Sequence, residues 1–565
     1  MSADVSISAI IEALGEAGLD GARRGQDREG RLCVVQGRAR VGEHELGIRV
    51  ELPLDFPLYM PVVYVEDPGQ LGDVAHLIQN GAICYHEGEG SVQSIWYPER
   101  VAAESVRLAL STLERSLAGD NALSVFEEIE WWWSRQREQV TAWVSAFEPG
   151  DKLQVLYRAG LYVRGEPDAF AALGLESERG LFIPFNAEDG RYRFSPRSLL
   201  RPGGLKRVLR EHLDSDTFKR LQARLRRGND YRFAVLGVRR PSGDQALIGV
   251  EFRGPIKPHP LRKSAMNDET TIEPALIYRV DRARMVERGG AKLGLEYKTV
   301  AVVGCGAVGG YVAEAIARTG IGRLFLVDYD VLTPENAYRH TLGWSPSSQV
   351  LQQLAFKSIL LSARIAECLP NLLNVVPITG AVHAAIADQA LDLSQIDLMI
   401  VAVGEPTLSR KLNLDLLANG GPRALYTWLE PLGVGGHALL TATPGETGCY
   451  ECLCVDEDGR ELLSPATDFV APNQPVLSRV AGCGTSYTPF SDLDARRTAE
   501  HAVRLAVRAL TGNEPAARLR SWKGEGDAAR AKGLTLTERF GWTSEQLDEG
   551  AHEFARSECG VCGSG

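Results

Sequence analysis

No run of apolar residues in this 565-residue chain approaches the roughly 18 needed to cross a bilayer, so a membrane-spanning helix is not expected. Net positive charge is missing too. The 73 acidic residues outnumber the 62 basic ones, for a formal charge of −11. Nothing therefore draws the chain generally to nucleic acid or to an anionic membrane surface. The opening segment MSADVSISAIIEALGEAGLD lacks the basic n-region of a secretory signal and reads as a helix. A cytoplasmic, reducing location is the expectation. There, ten cysteines point to metal binding or catalysis more than to disulfides. No internal repeat is present.

A chain of this length is expected to fold as roughly three or four domains. Residues 1–148 read as α+β, with strands at Leu32–Val35, His44–Leu52 and Val62–Val65 and a helix over Pro98–Leu117. Residues 149–270 carry shorter strand candidates at Leu153–Tyr157, Gly180–Pro184, Phe233–Val238 and Ala246–Phe252. A basic helical run between them, Leu205–Arg227, reads as a solvated face, and no chemical motif stands out there. Pro255–Pro274 reads as a linker or crossing loop. Residues 271–565 form an α/β nucleotide-binding domain. The Trp131–Trp133 triplet cannot share one helix face, so one or two rings are expected in the core.

That domain opens with an apolar run, Val300–Val303, followed by Gly304, Gly306 and Gly309 in G-x-G-x-x-G spacing. Such a strand–turn–helix lets backbone N–H groups and a helix N-terminus approach phosphate. Glycines alone do not separate a nicotinamide enzyme from others. The polar residues beyond the turn do: Asp328-x-Asp330, then Asn336, Arg339-His340 and Lys357. Cations beyond the second strand suit an enzyme that moves charge onto a departing pyrophosphate. Here the chain resembles the adenylation domain of the ThiF/MoeB and ubiquitin-activating (E1) family, whose D-x-D-x-V-x-x-x-N-L-x-R-Q pattern reads D-Y-D-V-L-T-P-E-N-A-Y-R-H, with His340 in place of the Gln.

The resemblance implies ATP and Mg²⁺ as cofactors, phosphates held by Arg339 and Lys357, and ribose held by Asp328. It also implies a homodimer through this domain, in which Arg282 of Arg279-Val-Asp-Arg282 reaches across to the phosphates. The family's usual metal-proximal Asp falls on Gly404, and Glu405 could reach the metal instead. Cys449-x-x-Cys452 and Cys559-x-x-Cys562 suit a structural tetrahedral Zn²⁺. MoeB-like enzymes carry such pairs at the same places, and Cys454 is spare. Cys483, with Pro489 six residues on, resembles the C-T-x-x-x-x-P segment of the catalytic thiol in ubiquitin-activating enzymes. Ser491 then reads as the N-cap of a helix. Cys305 reads as a small turn residue; Cys33 and Cys368 read as core.

A second cysteine lies far upstream. Phe56-Pro57-x-x-x-Pro61, Asn80-Gly-Ala-Ile-Cys84 and Trp96-x-Pro98 occur in the order that resembles ubiquitin-conjugating (E2, UBC-like) domains. The family's H-P-N is reduced to His76-Leu77-Ile78, so its Asn is missing, and His86 could replace a polar function. The combination resembles the activating–conjugating fusions of bacterial antiphage (CBASS) operons. It implies adenylation of a protein C-terminal carboxylate, a thioester on Cys483, transfer to Cys84, and conjugation to a target amine. The carried protein would be a cyclic-oligonucleotide synthase. A fusion serving a ubiquitin-like modifier, a sulfur-carrier activator and a nucleotide-dependent scaffold stay open.

Overall fold

The computed structural model describes residues 6–563 apart from 27, 73, 79, 87–92, 119–123, 135–140, 172, 186–191, 193, 227–229, 264–268, 292–293, 345–355, 370–373, 444, 457, 463 and 480–485. It divides into two compact units, Met1–Asp281 and Arg282–Gly565. Among the described residues no helix is long and apolar enough to cross a membrane.

The first unit begins with a four-stranded antiparallel sheet, β1 (Asp20–Arg24), β2 (Arg31–Val41), β3 (His44–Pro53) and β4 (Val62–Val65), paired in that order. Helices Ile7–Glu16 and Pro98–Leu117 pack on it. Alternate residues of β2 and β3 face inward, as the pleat requires. Val35, Ile48, Val50 and Leu52 are buried with Ile10, Leu14, Val106 and Leu113 of the helices. Cys33 belongs to this core. Pro98 opens its helix at a position where its missing N–H costs nothing.

A closed seven-stranded barrel comes next. Its strands are β5 (Thr141–Ser145), β6 (Gln154–Ala159), β7 (Tyr162–Arg164), β8 (Glu178–Phe185), β9 (Phe233–Arg239), β10 (Gln245–Arg253) and β11 (Thr271–Arg279). The order around the barrel is β10-β11-β5-β7-β6-β8-β9. The sheet therefore reaches beyond 149–270 at both ends, and the α+β region read there is a barrel with helices laid on it. Phe182, Phe233 and Val235 point to one side with Trp143 and Leu156. Their neighbours Leu181, Ile183, Ala234 and Leu236 point to the other, under Leu205, Leu209, Leu221 and Leu225. Those four lie on helices Pro202–His212 and Ser215–Arg226. The basic run is thus two helices with solvated outer faces, split where the Asp214 carboxylate accepts the N–H groups of Asp216 and Thr217. Trp132 and Trp133 are buried in the same core, and Trp131 packs partly against it.

The second unit carries a seven-stranded sheet of β12 (Thr299–Val303), β13 (Arg323–Val327), β14 (Asn374–Ile378), β15 (Leu398–Val401), β16 (Ala424–Leu429), β17 (Gly435–Leu440) and β20 (Arg518–Lys523). A short hairpin, β18 (Ser478–Arg479) with β19 (Ser486–Tyr487), lies outside it. The sheet order is β14-β13-β12-β15-β16-β17-β20. The first five strands are parallel, and the last two pairings, β16 with β17 and β17 with β20, are antiparallel. Both faces are covered, so β12 is apolar after Thr299: Val300 and Val302 join one core, Ala301 and Val303 the other. β12 sits between β13 and β15, where the order reverses, and a ligand crevice opens beyond the carboxyl ends of such strands.

Candidate active sites

At that switch point β12 turns through Gly304, Cys305 and Gly306 into the helix Ala307–Ala317. Gly304 has a φ of +86°, and a Cβ there would lie 2.7 Å from the Ala402 carbonyl oxygen. Gly306 meets nothing of its own chain within 4 Å, so the backbone is left open to a ligand. Asp328 braces the turn. One carboxylate oxygen accepts the Cys305 N–H at 2.6 Å, the other the Asp330 N–H at 2.7 Å. His340 braces it from the other side: its Nδ1 accepts the Leu342 N–H at 3.1 Å, so Nε2 donates to the Cys305 carbonyl at 2.7 Å. Burial holds this imidazole below its usual range, which suits a neutral ring fixed in one tautomer. His340 thus supports the glycine turn. Cys305 is buried in the turn, as its small size suggested.

Lys357 begins the helix Lys357–Cys368 and places Nζ 2.9 Å from Asp330 Oδ2. Arg339 lies over the rings of Tyr487 and Phe490 at 5.8 and 5.6 Å. Asn336 turns inward on its own loop, with Oδ1 accepting from the Thr333 N–H and hydroxyl. Arg282 donates to the carbonyls of Gly320 and Ile321, past the C-terminal end of Ala307–Ala317 and a helix length away from the glycine turn.

A cavity of about 310 Å³ opens beside Gly306. Ala402–Gly404 after β15, Tyr426–Leu429 of β16, and Thr488 and Phe490 after β19 also form its wall. Its neighbour Tyr426 has a hydroxyl that is buried with no hydrogen-bond partner among the described residues. Gly404 and Pro406 line this space, whereas Glu405 is exposed between them at the start of the helix Pro406–Ala418. The carboxyl on the wall is Asp468. Burial and then the nearby Glu430 push it well above the usual carboxylate range, while Trp428 Nε1 donates to it at 3.2 Å. Behind it Glu430 accepts from buried His437 at 2.7 Å and from the Phe469 and Val470 N–H groups. Spacing in the sequence gives no hint of Asp468, Glu430 or His437, which converge from a loop, the residue just after β16, and β17.

Four thiols meet near the end of the chain. The sulfurs of Cys449, Cys452, Cys559 and Cys562 all lie within 4.8 Å of one another. Cys449 and Cys559 are 3.9 Å apart, Cys452 and Cys562 3.4 Å. A tetrahedral zinc site with Zn–S bonds near 2.3 Å needs sulfurs roughly 3.8 Å apart, so this donor set fits that metal. Arg410 ties the first pair down, donating twice to Glu451 at 2.8 and 2.6 Å. Cys454 stands apart, its thiol pushed up to about 12 by burial. Cys483 falls within 480–485, outside the described residues. The helix after it starts as read: Ser491 Oγ accepts the Asp494 N–H and Asp494 accepts the Ser491 N–H. Cys368 is exposed at the end of its helix and is not a core residue as its sequence suggested.

In the N-terminal domain Asn80-Gly81 makes the turn before Cys84. The Asn80 side chain accepts the Ala82 N–H, and a Cβ on Gly81 would lie 2.0 Å from the Val65 carbonyl oxygen. Cys84 is half-buried, and its N–H donates to the His76 carbonyl at 2.8 Å. The imidazole brought to this thiol is that of His76, together with the Glu128 carboxylate. His86 instead sets its ring edge-on to Tyr85.

Known proteins match both halves. Residues 282–484 match the ThiF family and residues 22–142 match prokaryotic E2 family B. The chain is 29% identical over 227 residues to an ATP-dependent ubiquitin transferase-like protein Cap2 of Pseudomonas aeruginosa, covering 39% of this chain and 37% of that one. A Cap2 of Vibrio cholerae is 26% identical over 254 residues, 42% of this chain and 40% of its own. The matched region spans about two fifths of these relatives' length. The crystal structure of E. coli MccB with MccA-N7isoASN superposes at a TM-score of 0.32 with 15% identity over 50% of this chain and 70% of that one, too loosely to argue from. One polypeptide thus carries a segment similar to prokaryotic E2 family B and, after it, a segment similar to the ThiF family, and part of the chain is similar to the Cap2 proteins.

Proposed function

We propose that the chain uses ATP to activate the C-terminal carboxylate of a protein, carries it as a thioester on Cys483 and then on Cys84, and delivers it to a target amine. The observation that carries this reading is the cavity beside Gly306. It lies at the switch point of the sheet, and Thr488 and Phe490 line it only a few residues after Cys483.

In this reading the turn at Gly304, Gly306 and Gly309 takes the ATP phosphates, with Lys357 and Arg339 countering the charge that moves onto pyrophosphate. Asp328 faces the ribose while bracing the turn, and Asn336 shapes the loop that carries Arg339. Asp468 is better placed than Glu405 to meet Mg²⁺, because it forms the cavity wall. A divalent cation would draw its carboxyl back to the charged form. Asp330, paired with Lys357, would be a second carboxylate for the metal. Arg282 would act only on a second copy in a homodimer, after leaving the Gly320 and Ile321 carbonyls. Zn²⁺ on the four thiolates would close the domain without taking part in the chemistry. The carried protein is a CBASS cyclic-oligonucleotide synthase; a ubiquitin-like modifier is the second candidate.

ATP–pyrophosphate exchange in the presence of each candidate, followed by a non-reducing gel, tests the reading. Carrier-dependent exchange and two reducible adducts are expected. Cys483→Ala should abolish both adducts, Cys84→Ala only the second. Absence of exchange with either carrier overturns the proposal.

A further inference from the structure

Three acidic residues in the first unit, all within Glu127–Glu130, do different work. Glu127 accepts the Ser242 N–H and hydroxyl at 2.5 and 2.9 Å. Glu130 accepts the Leu247 N–H at 2.7 Å and pairs with Arg240 at 2.5 Å. Both are therefore tied to the barrel hairpin of β9 and β10. Ile129, Trp132 and Trp133 are sunk in the barrel core beside them, and Trp133 Nε1 donates to the Gly249 carbonyl at 2.9 Å. Glu128, between these anchors, turns to the N-terminal domain. Its Oε1 lies 3.2 Å from His76 Nδ1.

His76 is itself unusual. It has a φ of +61°, a left-handed backbone that residues other than glycine rarely adopt and that collects at functional sites. Its carbonyl holds the Cys84 N–H, and the Leu77–Ile83 bridge closes the loop between them. As a result the Cys84 sulfur, a ring nitrogen of His76 and a Glu128 oxygen lie within 4.8 Å of one another.

We propose that Cys84, His76 and Glu128 form a cysteine–histidine–carboxylate triad, in which His76 moves the proton of the acyl-transfer steps and Glu128, held by the barrel, is the positioning residue that orients His76. This rests on the reading of Cys84 as an acyl carrier and assigns the middle barrel a part in it. During loading, the Cys84 thiol gives its proton to His76 and the sulfur attacks the donor thioester carbonyl. The bond to the donor sulfur breaks, and the donor thiolate leaves with the proton from His76. During discharge, an amine nitrogen bonds to the same carbonyl and its proton passes to His76. The carbonyl–Cys84 bond breaks and the thiolate remains beside the imidazolium. Nothing is oxidised or reduced. The missing Asn of the H-P-N motif is thereby replaced in part by a base. The two titratable groups acting on the His76 ring, Cys84 first and Glu128 second, push it up to about 9, which favours keeping on the ring the proton that the thiol gives up.

The test needs neither ATP nor a carrier. The full chain is treated with iodoacetamide from pH 5.5 to 9.5, and alkylation of the Cys84 peptide is followed by mass spectrometry. At pH 6.5 Cys84 should react at least about tenfold faster in the native chain than in the His76→Asn variant, whose profile should rise only through the ordinary thiol range near pH 8.5. Glu128→Gln should fall between the two, and Glu128→Asp should return towards the native rate, which a merely structural contact would not produce. Protection of buried Cys33 reports folding in every variant. If His76→Asn exposes Cys33, the Gln and Asp variants at Glu128 decide. Equal rates at pH 6.5 in all chains overturn the triad. A chain that lacks pyrophosphate exchange but keeps this profile loses the activating function and retains the triad.

Discussion

A Cβ on Gly309 would lie 1.8 Å from the carbonyl oxygen of Gly304, so the third glycine of the turn is fixed by packing against the first. Gly306 differs, for a Cβ there meets nothing of the chain within 4 Å. Gly309→Ala should therefore destabilise the second unit by about 3 kcal/mol. Gly306→Ala should leave the melting temperature within a degree or two and weaken ATP binding at least tenfold. Calorimetry and nucleotide titration separate the two outcomes. Equal loss of stability would contradict this division of labour.

Lys357 is buried, whereas its partner Asp330 is half-exposed. Removing the cation leaves a carboxylate that water can solvate, so Lys357→Ala should cost only about 1 kcal/mol of stability. Pyrophosphate exchange should fall by about 100-fold if Lys357 counters the charge on the departing pyrophosphate as proposed. Unchanged exchange would remove Lys357 from the site.

Elemental analysis should find one zinc per chain, lost in the Cys559→Ser variant. Stripping the metal with a chelator should lower the melting temperature of the second unit by about 10 °C, as expected when a structural metal worth several kcal/mol is removed. Absence of metal from freshly purified protein would refute the assignment.

His259 is 3% exposed, with Nε2 directed to the Tyr231 carbonyl at 2.9 Å and Nδ1 accepting the Leu261 N–H. Burial lowers it to about 4 from an unfolded value of 6.5. Between those values the unfolded chain binds the extra proton and the folded chain does not. Stability should thus be full above pH 6.5 and decline as pH falls to 4, by up to about 3 kcal/mol. Denaturant midpoints of the first unit against pH measure this, and His259→Asn should flatten the slope. A native chain with no slope in that window would disprove the neutral buried ring.

The helix Pro98–Leu117 was legible to the residue, because proline marks its first turn and apolar positions recur at helical spacing. β12, its glycines and the paired cysteines were legible for the same reason: local spacing carries the chemistry. The barrel was not, since β5 pairs with β11 across some 130 residues and no short window records that closure. Asp468 and Glu128 were missed on similar grounds. Each is an ordinary acid in sequence and gains its role from a distant partner. Arg282 shows the reverse: a motif position was readable, but its carbonyl partners past the helix end were not.

Cys449 and Cys559 are 110 residues apart, and β20 lies between them. During synthesis the first cysteine pair and most of the nucleotide sheet emerge well before the second pair can reach them. The sheet stays short of β20, and the thiol cluster stays half-built, until nearly all of the second unit has been translated. The first unit can fold by then, because its strands and helices all precede Arg282. The first unit would therefore be complete on the nascent chain well before the second, which closes only once β20 and the second cysteine pair have emerged.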